Sequence, residues 1–346
     1  MLVRIALDVH GGDTGVATNL AAALDASLTS DIELVLVGHE LQIAAELRRL
    51  DVPIDRFKIV HAEETIGMAE SASRSVRRKS DNSISVSLDL MNRGEVSAVV
   101  SAGHSGALVA ASLMILGRIP GVSRPALGTR IPAKGTTAFV LDIGAFTDPR
   151  PEVMLQHAYL GVAYVEAILG IRRPTVALLS NGEEPGKGDV LTRSARELFD
   201  ASDLHFVGYV EGHEMLTKPP HVTVTDGFTG NVALKIAEGT ASYVSRIMRD
   251  ELTASIRTRL FAAMLRPTFR AMRRQIDFDG IGGAPLLGVN GVVIAAHGRS
   301  SPRALVSAIE TANSAARSEL PARLRDTLPQ GPRSEAGADE PAALHS

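Results

Sequence analysis

The chain has 346 residues, an ordinary apolar share of 45% and a formal net charge of −3, which allows one large domain or two ordinary ones and gives no general pull toward nucleic acid. It contains no cysteine, so disulfides, thiolate metal ligands and a cysteine nucleophile are excluded. Tryptophan is absent and aromatics make up only 4%, too few for platforms that stack single-stranded nucleic acid, and no apolar run approaches the ~20 residues of a spanning helix.

Met1-Leu2-Val3-Arg4 enters a strand at once, without the layout of a secretory signal, so the cytoplasm is the expected compartment. Leu2 to Val9 is apolar except for Arg4 and Asp8 and reads as a buried parallel strand with a carboxylate near its C-terminal end. His10-Gly11-Gly12-Asp13 follows as a tight turn. Open α/β sheets bind ligands at the C-terminal ends of their strands, so this turn is a candidate site; the plainer reading is a glycine turn with Asp13 capping the next helix. Helical pattern over 20–28 and 41–50 alternates with strands over 32–37 and 57–60. The polar run 69–78, with Arg74, Arg77, Arg78 and Lys79 close together, fits a solvated helix face as well as an anion site. A helix over 83–91 continues the alternation, which predicts a doubly wound parallel sheet.

The strand over 96–101 leads into Ala102-Gly103-His104-Ser105-Gly106, again glycines and small polar residues before a helix. His104 and Ser105 are expected to face one crevice, but neighbours in a turn seldom form a catalytic pair, so a serine nucleophile is rejected. A loop over 117–125 contains Arg124-Pro125. The strand over 137–143 carries Asp142 near its end, before Gly144-Ala145. A helix over 154–169 and a strand over 175–179 precede Ser180-Asn181-Gly182-Glu183-Glu184-Pro185-Gly186-Lys187-Gly188-Asp189. That loop lacks the spacing of a P-loop, and the chain has no G-x-G-x-x-G signature. Lys187, between two glycines, reads either as a cation serving the site or as a solvated loop lysine. A helix over 190–199 and a strand over 205–210 follow.

Val222 to Lys235 reads as strand, glycine turn and helix start. Val222 to Thr225 is β-branched, Asp226-Gly227-Phe228-Thr229-Gly230 makes the turn, and Asn231 stands at the expected N-cap. This layout presents backbone N–H groups and a positive dipole end to an anion and is read as a phosphate site, with an ordinary turn as the alternative. From Arg246 to Arg274 the chain turns basic and amphipathic. Leu260, Phe261, Met264, Leu265, Phe269 and Met272 are its apolar side, and Arg266 and Pro267 lie between two helical pieces. Such an arm suits an anionic membrane surface or a dimer interface. Residues 280–288 read as a glycine-rich loop, 291–296 as a strand, and 301–317 as the last helix. His297, between those last two, is either an acid/base group or a donor to the turn. Residues 319–346 are expected to be a disordered tail, leaving 1–318 as one catalytic domain.

Six stretches together are similar to one family. Leu7-Asp8-x-x-Gly11-Gly12-Asp13, Ser101-Ala102-Gly103-x-x-Gly106-Ala107, Gly117-Arg118-x-x-Gly121-x-x-Arg124-Pro125-Ala126, Asp226-Gly227-Phe228-Thr229-Gly230-Asn231, Gly282-Gly283-Ala284-x-Leu286-Leu287-Gly288 and His297-Gly298 resemble the bacterial phosphate acyltransferases of phospholipid synthesis, the PlsX family. The resemblance runs in order from residue 2 to about 318. It implies a three-layer α/β/α fold with a mostly parallel sheet, similar to phosphotransacetylases and isocitrate-type dehydrogenases, and usually a homodimer. It implies that inorganic phosphate attacks the thioester of a long-chain acyl-acyl carrier protein, giving acyl phosphate for a downstream glycerol-3-phosphate acyltransferase. No cofactor or metal is implied. Members rest peripherally on the membrane, and the arm at 246–274 matches the family hairpin. Lys187 and Asn231 fall on positions linked to catalysis. His104 and Phe146 stand where the family form has Asn, which favours a rival reading, a phosphotransacetylase-like enzyme using acyl-CoA or a specialised donor. A non-catalytic membrane scaffold is the other rival.

Phosphate is already a nucleophile, so the protein must hold a dianion beside a carbonyl and stabilise an oxyanion. The expected phosphate and substrate contacts are Asp8, Gly11, Gly12, Gly103, Ser105, Gly106, Asp142, Asp226, Gly227, Thr229 and Gly230, with the carboxylates orienting donors. Lys187 and Asn231 are expected to carry catalysis, and an unprotonated His104 or His297 to take a proton.

Overall fold

A computed structural model describes residues 2–29, 31–133, 136–275 and 280–329. Eleven strands form one sheet in the order β3-β2-β1-β4-β11-β10-β5-β6-β9-β7-β8. They are β1 (Val3–Asp8), β2 (Ile32–Gly38), β3 (Lys58–His61), β4 (Ala98–Ser101), β5 (Ala126–Ala133), β6 (Thr136–Leu141), β7 (Val176–Ser180), β8 (Phe206–Glu211), β9 (Val222–Val224), β10 (Ala284–Leu287) and β11 (Val293–Ala295). β3, β2, β1, β4 and β11 are parallel, as are β6, β9, β7 and β8. Three antiparallel steps, β11 to β10, β10 to β5 and β5 to β6, join the sets, so the two halves run in opposite directions.

Alternation along the strands builds a core on each face. Val3, Ile5 and Leu7 of β1 and Val100 of β4 face one way, under α1 (Gly15–Thr29), α2 (Glu40–Arg49), α6 (Pro151–Leu169), α7 (Val190–Asp200), α12 (Pro302–Arg317) and α13 (Leu320–Thr327). Ala6 and Val99 face the other, under α3 (Ala72–Arg78), α4 (Ser83–Asn92) and α5 (Ser105–Ile115). In the second half that face holds a smaller core of Ile131, Val140, Ala177 and Val210 beside α8 (Glu214–Thr217). Ile143, just after β6, packs against both of these cores. The result is the three-layer, mostly parallel α/β/α architecture that the family resemblance implies, with antiparallel steps where the alternation predicts a parallel sheet.

Three readings are corrected. β10 lies where the sequence reads as a glycine-rich loop, and β5 lies just after the loop over 117–125, where the sequence predicts no element. Both pair antiparallel and contain proline, and β10 has only four residues, so the alternating signal of a strand is weak. The tail does not begin at 319, because Leu320, Leu324 and Leu328 are buried on the core with α13; residues 330–346 lie outside the described residues. The long helix α9 (Gly227–Thr253) is capped by Asp226, whose Oδ1 accepts from Thr229 N at 2.8 Å, not by Asn231, which lies inside its second turn. α9 runs into the arm, where α10 (Ile256–Met264) opens on a Ser255–Thr258 capping box and α11 (Arg266–Gln275) follows. Leu260, Phe261, Met264, Leu265 and Arg266 are exposed and Phe269 is half-buried. Among the described residues no helix is long and apolar enough to cross a membrane.

Candidate active site

Two sets of strand-end turns build the site. The first leaves the C-terminal ends of β1, β4 and β11, which are neighbours in register at Leu7, Val100 and Ile294. Asp8 is almost fully buried. Its Oδ2 accepts from Ser101 Oγ at 2.6 Å and its Oδ1 from His10 N at 3.1 Å, and Ser101 Oγ accepts in turn from Gly103 N at 3.0 Å. One carboxylate thereby ties the two glycine turns together. They meet so closely that a Cβ on Gly11 would lie 2.6 Å from Gly103 N. Gly12, with φ of +91°, passes under Gly298, whose carbonyl accepts from Asp13 N at 2.7 Å. Asn19 of α1 donates to Val9 O, Gly11 O and Gly15 O and fixes the first turn from behind.

The second set leaves β6, β9 and β7, again neighbours in register at Leu141, Val224 and Leu178. Asp142 is completely buried and its carboxylate faces its own backbone. Oδ1 accepts from Leu127 N, Gly144 N and Ala145 N at 3.1, 3.1 and 2.9 Å, and Oδ2 from Phe146 N at 2.8 Å. Burial pushes this carboxyl up to about 6, against the pull of those four N–H groups. The looped backbone receives the start of α9. Gly227 N donates to Phe146 O at 3.0 Å, and a Cβ on Gly230 would collide with Asp142 O. The Asn231 amide lies about a van der Waals contact from Gly144, 3.6 Å from its ideal Cβ position. On the adjacent strand, Asn181 Oδ1 accepts from Gly188 N at 2.9 Å and folds the loop that carries the exposed Lys187. Gly182 leaves room for the Lys187 stem, whose Cγ lies 2.7 Å from where a Cβ would stand.

α9 joins the two sets. Asn231 sits on the turn after β6, and one helical turn later Lys235 Nζ is 2.7 Å from His297 Nε2, in the turn after β11. His297 is exposed at the rim of the turn. Partial desolvation first, and then the Lys235 charge, lower its affinity for a proton, so it is neutral near pH 7.

The structure therefore gathers Gly11, Gly12, Gly103 and His297 on one side and Asn231 with the Asp226, Gly227, Thr229 and Gly230 helix start on the other, with the Lys187 loop on the strand beside β9. Asp8 and Asp142 hold the turns, their carboxylates accepting from backbone N–H groups and from Ser101. One assignment is corrected. His104 caps α5, with Nδ1 accepting from Ala107 N at 3.3 Å and Nε2 donating to Glu70 O at 3.1 Å, so neither nitrogen is left to act as a base. Ser105 and Gly106 form the exposed first turn of α5. Asn19, Asn181 and Lys235 escape a sequence reading; only Lys235 leaves a signal, its i+4 spacing from Asn231. Among the described residues no three His, Asp or Glu are arranged as metal ligands.

Residues 3–323 match the family model described as "Fatty acid synthesis protein". The chain is 44% identical to the phosphate acyltransferase of Myxococcus xanthus over 93% of its own length and 92% of that protein's. It is 40% identical to the phosphate acyltransferase of Syntrophotalea carbinolica, over 94% and 93% of the two chains. The chain belongs to the phosphate acyltransferase family. Its members are transferases, and this one is an enzyme. The fold of this family member is also that of a Streptococcus pyogenes phosphotransacetylase, at a TM-score of 0.60 with 17% identity over 91% of this chain and 94% of that one. A phosphotransacetylase from Staphylococcus aureus is similar at a TM-score of 0.58 with 18% identity, over the same shares.

Proposed function

We propose that this enzyme forms acyl phosphate from inorganic phosphate and a long-chain acyl-acyl carrier protein. The observation that carries the reading is the bridge made by α9, which puts Asn231 over the β6 turn and Lys235 against the β11 turn, so that both sets of strand ends face one anion site. Gly11 is buried and Gly103 N–H is given to Ser101 Oγ, so the half-buried Gly12 is the turn position whose bare backbone an anion can approach. Asn231 donates from its amide to phosphate or to the developing oxyanion, and Lys187 brings positive charge from the neighbouring loop. The phosphate oxygen attacks the thioester carbonyl directly, so no acyl-enzyme is needed.

The product is consumed by an enzyme that transfers the acyl group to glycerol 3-phosphate, leading to lysophosphatidic acid. The exposed Leu260, Phe261 and Met264 of α10, beside Arg257 and Arg259, hold the protein peripherally on an anionic membrane. The exposed stripe Val232, Ile236, Tyr243 and Ile247 along α9 pairs two copies as a homodimer. The core, α13 included, acts as one catalytic unit.

The test compares palmitoyl-acyl carrier protein with palmitoyl-CoA under saturating phosphate. Phosphate-dependent acyl phosphate from the carrier protein, at a higher kcat/KM than from CoA, is the expected result. A preference for CoA would assign the enzyme to the rival acyl-CoA class, and no acyl phosphate from either would refute the reading.

A further inference from the structure

Acyl transfer from a thioester needs a proton at the departing sulfur, and neither His104, Asp8 nor Asp142 is free to give one. Lys235 is placed to do so. It follows Asn231 by one turn on the same face of α9, and its Nζ bonds His297 Nε2 at 2.7 Å and Glu238 Oε2 at 3.1 Å. An ammonium has three N–H donors. Two are held by these partners, and among the described residues nothing engages the third, which is left for substrate. His297 is a partner that tolerates either form of the amine. As an acceptor at Nε2 it binds the ammonium. Its Nδ1 also lies 3.1 Å from Arg299 N–H, and a neutral ring accepts at only one nitrogen. Once Nζ has lost a proton, the exposed ring exchanges with water, losing its Nδ1 proton and gaining one at Nε2, and this tautomer donates to the amine and accepts from Arg299 N at once. The same ring thus serves Lys235 before and after proton release. Asp13, Glu238 and Arg299 are the other charged groups around the ring.

We propose that Lys235 is the general acid of the acyl transfer and that His297 is its positioning residue. The inference rests on the acyl phosphate reading above. A phosphate oxygen forms the bond to the carbonyl carbon, the carbon–sulfur bond breaks, and Lys235 Nζ passes a proton to the sulfur. The acyl hydrogen phosphate then gives its P–OH proton to the amine, a downhill transfer because that P–OH is a stronger acid than an ammonium, and the resting charge is restored.

The experiment uses two thioesters of one acyl chain, a pantetheine ester and a thiophenol ester, whose aryl thiolate departs without a proton. Lys235→Arg keeps charge and donors but a guanidinium does not release its proton. With the pantetheine ester, Lys235→Arg is expected to lose about a hundredfold or more in kcat, the usual scale of general acid catalysis, with the KM for phosphate little changed. With the thiophenol ester the loss is expected to shrink below about tenfold. His297→Gln, which keeps an acceptor, is expected to retain more activity than His297→Leu. Near-normal turnover by Lys235→Arg, an equal loss on both esters, or a defect confined to the KM for phosphate would overturn the assignment. A wild-type protein that makes acyl phosphate from neither ester would instead overturn the parent reading, and this one with it.

Discussion

Replacing Asp142 separates a turn-holding carboxylate from a phosphate ligand. In Asp142→Asn the three bonds to Oδ1, from Leu127 N, Gly144 N and Ala145 N, can persist, while the bond from Phe146 N to Oδ2 is replaced by an amide N–H facing another N–H. One orphaned buried donor costs about 2 kcal/mol. Asp142→Ala orphans all four donors, which at that rate would reach about 8 kcal/mol. Relief of the desolvation that pushes this carboxyl up to about 6, and entry of water, lower the sum to roughly 4 kcal/mol. An unfolding entropy of ~2.1 cal/mol/K per residue makes that about 6 °C in Tm for a chain of this size, if it unfolds as one unit. Thermal unfolding and phosphate kinetics measured together decide the matter. Asp142→Asn is expected to keep most of its turnover, and Asp142→Ala to lose both stability and activity as Gly144 drifts from Asn231. An Asp142→Ala protein within about 1 kcal/mol of wild type, or an Asp142→Asn protein altered only in its KM for phosphate, would refute the assignment.

Other outcomes follow from the same geometry. Lys187→Ala is expected to lower turnover about a hundredfold, ~3 kcal/mol of transition-state binding, without changing Tm because the side chain is exposed; near-normal acyl phosphate formation would remove it from the mechanism. His157, fully buried in α6 with Nε2 donating to Arg124 O, is held neutral with its pKa lowered to about 4 by burial. The unfolded chain binds this proton near pH 6.5, so the contribution of His157 is complete above that pH and is lost as pH falls through about 4, roughly 3 kcal/mol in all. Asp142, whose pKa is raised, titrates over the same range with the opposite sign, so the quantity to measure is the difference between wild type and His157→Gln in urea unfolding at pH 7.5 and pH 4.5. A difference independent of pH would contradict the assignment. On the arm, Phe261→Asp with Met264→Asp removes two exposed apolar side chains worth about 2 kcal/mol each when buried in lipid, so sedimentation with anionic vesicles is expected to fall at least tenfold. Unchanged binding would exclude α10 as the membrane contact.

The strands of the two parallel sets are legible because they are continuous apolar runs ended by glycine, as in Val3–Asp8 and Ala98–Ser101. β10 is not, because it is set by long-range pairing, Leu286 with Leu127 and Leu287 with Ala126, across about 160 residues of chain; β5, paired locally with β6, is interrupted by Gly128, Arg130 and Pro132. The glycine turns announce themselves for a physical reason, since Gly11 and Gly103 pack backbone to backbone and Gly230 has no room for a Cβ. Polar side chains were harder to read. Asp8, Asp142 and His104 have the residue types of ligands but are consumed by N–H groups or partners that only the fold brings near. Lys235 is legible only in part: its i+4 spacing puts it on the face of Asn231, but its partner His297 lies 62 residues later.

The most direct measurement follows oxygen-labelled inorganic phosphate and palmitoyl-acyl carrier protein with the purified wild-type enzyme, scoring carrier thiol release against labelled acyl phosphate. The account requires one labelled acyl phosphate for each thiol released, and no release when phosphate is left out. Thiol release that proceeds without phosphate and yields free fatty acid would make the enzyme a hydrolase and contradict the phosphate site at its centre.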